Sequence, residues 1–150
     1  MSSFKKIKER VLESSLLYVI IGALTAITLA RVYVFLGGSV ALVVDGITLH
    51  HFFIGAFLMA IVGVLSFVMA EHKSINVILK RMFPFFFGLG FGLVIDEANL
   101  LLIGGQDYTL VNYYSIYNVV FEFVVILLLL GGLAIETLWR YRRNDPKKRG

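Results

Sequence analysis

Four long apolar stretches divide the chain, at residues 12–36, 48–70, 82–103 and 113–138, with short polar segments between them. An α-helix rises about 1.5 Å per residue, so about 20 residues cross a hydrocarbon core of about 30 Å. Each stretch is long enough to do so. The pattern therefore predicts an all-α fold, a four-helix transmembrane bundle that takes up residues 1–150 as a single transmembrane domain. Gly37-Gly38-Ser39 breaks the first helix, and Asp45-Gly46 followed by Thr48 predicts a turn and an N-cap for the second. Pro84 falls in the first turns of the third, where a missing N–H is tolerated, and Gly104-Gly105 closes that span. Ahead of the first span, Phe4, Ile7 and Val11 share one helical face of a polar segment, which predicts a short amphipathic helix on the membrane surface. Lys5, Lys6, Lys8 and Arg10 precede the first span as they would a leader peptide. The run Ser14–Ala30 is longer than a cleavable core, however, and reads as a retained span.

Composition agrees with this reading. A chain of 150 residues that is 59% hydrophobic lies outside the range of soluble domains. There are no cysteines, which removes disulfides and thiolate metal sites. The net charge of +4 does not point to nucleic acid, because all Lys and Arg except Arg31 lie in the N-terminal tail, the segment 71–81, or the tail from Arg140 onward. By the positive-inside rule both termini and the middle loop are cytoplasmic, and segments 37–47 and 104–112 face out. The basic tails face anionic lipids, so membrane lipids are the first expected partners. Small residues in the first and fourth spans (Gly22, Ala26, Ala30; Gly131, Gly132) suit a homo-oligomer. Tyr108, Tyr113, Tyr114 and Tyr117 at one end of the fourth span, with Trp139 and Tyr141 at the other, read as interfacial aromatic belts.

Against this apolar background Asp96-Glu97 stands out, being the only charged pair between Met82 and Gly105. Carboxylates in hydrocarbon are costly enough to need a partner or a task. Counted from Arg81, Asp96 lies about 22 Å into the core, about 8 Å below its outer edge. Glu122 comes out about 13 Å below that edge, and Arg31, His50 and His51 come out near it. One base, one or two imidazoles and up to three carboxylates are thus expected to converge in the outer half of the bundle. Asp96 shares a helical face with Gly88, Gly92 and Asn99, a seam that admits a close neighbour, while Ser115, Asn118 and Glu122 form a second polar stripe. Neighbouring helical residues diverge by about 100°, so Asp96 and Glu97 are expected to face different partners, as are His50 and His51. Glu136 is expected to pair with Arg140 one turn on, away from this site.

Three readings compete. In the first, His50, His51, Asp96, Glu97 and Glu122 hold a divalent metal (Zn, Mn or Fe), with Arg31, Asn99 and Asn118 as counter-charge or substrate contacts. Metal-bound water would then attack a lipid or amphipathic small molecule. In the second, Asp96, Glu122 and a histidine pass protons or cations, as in a transporter or channel subunit. In the third, the polar groups are interhelical glue. Nothing in the sequence points to a nucleotide or haem cofactor.

The segments Thr48-Leu49-His50-His51-Phe52-Phe53-Ile54-Gly55 and Gly88-Leu89-Gly90-Phe91-Gly92-Leu93-Val94-Ile95-Asp96-Glu97 resemble a group of small bacterial and archaeal membrane proteins with four predicted spans. Members carry a His-rich entry to the second span, often H-x-H-H, and a Gly-rich third span ending in D-E. The resemblance implies a prokaryotic inner or plasma membrane and puts weight on His50, His51, Asp96 and Glu97 without naming a reaction. Thr48 stands where similar proteins often have the first histidine, and Asp45 would then complete the set.

Overall fold

The computed structural model describes residues 7, 9, 11–38, 41–44, 47–70, 76–103 and 113–143, apart from the side chains of 41–49, 70 and 99–103. Four helices carry the fold: α1 (Ser15–Phe35), α2 (His51–Ala70), α3 (Val77–Ile103) and α4 (Ile116–Arg143). All four are long and apolar enough to cross a membrane. Ile7, Glu9, Val11 and Leu12 are helical, while Phe4 and the rest of the expected surface helix lie outside the described residues. So do Tyr108, Gly104-Gly105 and Asp45-Gly46.

Each helix start is fixed by a polar side chain where backbone N–H groups lack intrahelical partners. Ser14 Oγ accepts from Leu16 N at 3.2 Å, and Asn76 Oδ1 from Ile78 N at 3.0 Å. Ser115 Oγ accepts from Asn118 N at 3.3 Å. At the far end of α1, Gly37 adopts φ 90, a left-handed conformation that favours glycine, so the chain turns out of the helix there.

Besides α4, which starts at Ile116 and runs on to Arg143, five residues past the expected end, two boundaries differ from expectation. Thr48 does not cap a helix; it lies in a strand. β1 (Ala41–Val44) pairs antiparallel with β2 (Ile47–His50), Ala41 opposite His50 and Val44 opposite Ile47. The β-branched residues flanking an Asp-Gly pair are a hairpin signal, and it prevails over the N-cap signal of Thr48. The second helix therefore begins at His51, with His50 ending the strand. α3 begins at Val77, five residues before the expected start, which makes Pro84 its eighth residue and an interior one. The proline withholds the N–H that the Lys80 carbonyl would otherwise accept.

The order is up-down-up-down, with α3 at the centre. Along one side α3 runs parallel to α1, and glycines set the distance: a methyl group added at Gly22, Gly88 or Gly92 would strike the backbone of Phe85, Val19 or Ala23 respectively. On the other side α2 runs antiparallel, with Gly55 and Gly90 in the same relation to each other. Small residues thus bring three backbones into direct contact, as packing in lipid favours. Gly22 and Ala26 are used up within the chain, whereas Gly131 faces open space. The described buried residues of α4 are Asn118, Glu122, Leu133 and Thr137, with none between Glu122 and Leu133. At the basic end Ser14, fully buried, donates its hydroxyl to Glu136 Oε2 at 2.6 Å. Glu136 also pairs with Arg140 at 2.5 Å, as the one-turn spacing predicts.

Candidate functional site

At the opposite end from Ser14 and Glu136, the end of α1, the start of α2, the last turns of α3 and the start of α4 converge. The floor of the site is Asp96 and Glu97, both with no exposed surface. Asp96 Oδ1 accepts from Arg31 Nε at 3.1 Å. Its other oxygen accepts from the Tyr113 hydroxyl and lies 2.8 Å from His51 Nε2. Arg31 extends past Asp96 so that Nη2 pairs with Glu122 Oε1. One guanidinium therefore binds carboxylates from two helices, which a planar, forked donor can do.

Glu97 serves a second set of partners. Oε2 accepts from the backbone N–H of Phe52 at 2.8 Å, so a side chain of α3 caps the N-terminus of α2. Oε1 lies 3.1 Å from His51 Nδ1 and 3.4 Å from His50 Nδ1. The expectation that Asp96 and Glu97 face different partners is thus corrected. Their side chains do diverge, but the His51 ring lies between them and presents one nitrogen to each. His50 and His51 likewise meet at Glu97, because His50 is the end of a strand and not a helical residue.

Asn118 joins the network from α4. Its Nδ2 donates to the carbonyls of Asp96 at 3.1 Å and Tyr113 at 3.2 Å, while its buried Oδ1 has no partner among the described residues. The side chain of Asn99 lies outside the described residues. Around Arg31 the rings of Tyr113 and Tyr114 lie 4.8 and 5.4 Å from the guanidinium, and the Tyr114 hydroxyl donates to the Arg31 carbonyl at 3.0 Å.

Tyr113 is the residue that sequence reasoning missed. It reads as one of a belt of tyrosines, yet it is 1% exposed and hydrogen-bonded to Asp96. Its hydroxyl is held as a donor to Asp96. Its neighbour Tyr117 is 73% exposed, as a belt residue should be. The available signal was position: Tyr113 lies five residues before Asn118, at the head of the polar stripe of the fourth span.

The arrangement gives no support to a divalent metal held by His50, His51, Asp96, Glu97 and Glu122. Both oxygens of Asp96 and both of Glu97 already have protein partners, and both ring nitrogens of His51 face carboxylates. The Arg31 guanidinium occupies the position of counter-charge between Asp96 and Glu122. Among the described residues no group of three or more His, Asp or Glu side chains is disposed to hold a metal ion.

Chemically, the arrangement sets one imidazole between two carboxylates. A neutral imidazole carries one N–H. With carboxylate oxygens beside both its nitrogens, His51 satisfies both contacts only if a further proton resides on the ring or on a facing carboxyl. No family model, no curated protein and no solved structure matches the chain.

Proposed function

We propose that this chain is an integral membrane protein whose polar network exchanges protons with the outer aqueous phase, as part of a proton-coupled transporter or channel. The observation that carries the reading is His51, bridging Asp96 at 2.8 Å and Glu97 at 3.1 Å through its two ring nitrogens. A graded exposure also supports it. The side chains of His50, His51 and Arg31 are 13–16% exposed at the rim, above the fully buried Asp96 and Glu97. An imidazole at the rim is suited to collect a proton near neutral pH and hand it to a carboxylate within hydrogen-bond reach. The distribution of Lys and Arg favours the outside for this end, and the resemblance carried by the His50-His51 and Asp96-Glu97 segments favours a prokaryotic inner or plasma membrane.

The test is reconstitution in liposomes with a trapped pH-sensitive dye and an imposed pH gradient. The wild type should pass protons at a rate that changes across the histidine range, and His51→Gln should reduce it about tenfold or more while keeping the melting temperature within a few degrees. Wild-type flux equal to that of protein-free vesicles at every pH would sink the reading and leave the network as helix-packing glue.

A further inference from the structure

At the basic end, away from the network, α1, α2 and α3 part around a cavity of about 520 Å³. Its wall combines two chemistries. Lys80 and Arg81 supply cations from the early turns of α3, and among the described residues no carboxylate pairs with either one. Met69 and Phe83 supply an apolar side between α2 and α3. Arg81 is held in place by Tyr18, whose ring centroid lies 5.7 Å from the guanidinium carbon. The Tyr18 hydroxyl is itself anchored to the Leu12 carbonyl at 3.1 Å, so the ring that carries the arginine is tied to the chain entering α1. Glu13, also in the wall, leaves one positive charge in excess.

A cationic mouth above an apolar wall, at the level where a spanning helix meets the headgroups, matches a ligand with a phosphate at one end and hydrocarbon at the other. We propose that this cavity binds a phosphate-bearing amphiphile, its phosphate between Lys80 and Arg81 and its chain against Met69 and Phe83. The phosphate fits the pair because a forked guanidinium and a compact ammonium complement its oxygens, and two adjacent cations that pair with no carboxylate among the described residues favour an anion between them. The apolar wall gives the hydrocarbon a surface that a free phosphate would not use.

The experiment is native mass spectrometry of the full-length protein released from detergent, titrated with phosphatidylglycerol, with inorganic phosphate as competitor. Lys80→Gln/Arg81→Gln is compared with Arg142→Gln/Arg143→Gln, which removes the same charge from the same end, and melting temperature verifies folding. The expected result is a saturable one-lipid adduct that the first pair weakens about tenfold and the second leaves within about twofold, since each nearby cation contributes on the order of a tenfold change or less. Phe83→Ala should weaken the lipid adduct as well, and millimolar inorganic phosphate should not displace it. Equal weakening by both charge pairs would overturn the proposal in favour of diffuse attraction to the basic end. Displacement by inorganic phosphate, with no effect of Phe83→Ala, would overturn the amphiphile and assign the cations to a free phosphate.

Discussion

Arg31 and Asp96 form an ion pair whose carboxylate is fully buried. That carboxylate receives Arg31, Tyr113 and His51 together. Removing one charge of such a pair leaves its partner uncompensated, which costs about 3–5 kcal/mol, whereas removing both can be nearly neutral. Arg31→Gln and Asp96→Asn should each lower the unfolding free energy in detergent by about 3 kcal/mol, and the double variant should recover part of that loss. Glu122 keeps the recovery incomplete, since it loses Arg31 as well. Strict additivity in a denaturation series would show that the two residues act independently. The convergence of Arg31, His50, His51, Asp96 and Glu122 was legible in the sequence from depth, and that of Asn118 from its place on the stripe with Glu122. The bonding pattern was not, because depth counting carries no rotational detail across helices and treats Tyr113 like any interfacial tyrosine.

Between helices, glycine does the positioning. Gly88 and Gly92 on α3 lie against Val19 and Ala23 of α1, two turns and one turn below Asp96 respectively, and this proximity places Asp96 within reach of Arg31. A bulky residue there pushes backbone against backbone and separates the charged pair as well. Gly92→Leu should therefore cost several kcal/mol or abolish folding, beyond the usual 1–3 kcal/mol of overpacking. Gly131→Leu, on the open face of α4, should change the melting temperature little. Comparable losses in the two variants would mean that helix propensity, not contact, sets the effect. The four-residue glycine spacing predicts this seam, and the spans follow from apolar length. The β1–β2 hairpin was hidden because its residues, apolar and adjacent to a span, read equally well as the beginning of a helix. What distinguishes them is the Asp45-Gly46 pair between runs rich in β-branched residues.

For the whole molecule, the polar network and the basic cavity lie at opposite ends of the same three helices, so orientation in the membrane decides which solution each one meets. The absence of cysteine makes this simple to test. Tyr117→Cys and Leu138→Cys, both at exposed positions near opposite ends of α4, should react in intact cells with a membrane-impermeant maleimide at residue 117 only. Labelling at 138 alone would invert the topology and place the network on the inner side.

The fourth helix is fastened at two places, by Asn118 and Glu122 at one end and by the Ser14 to Glu136 bond at the other, with no buried residue between Glu122 and Leu133. It rests on its neighbours as a beam rests on two piers. Neutralising Glu122 would take the charge from one pier and leave the other standing. That end of the helix would then be held through Asn118 while its foot stays pinned by the Ser14 to Glu136 bond.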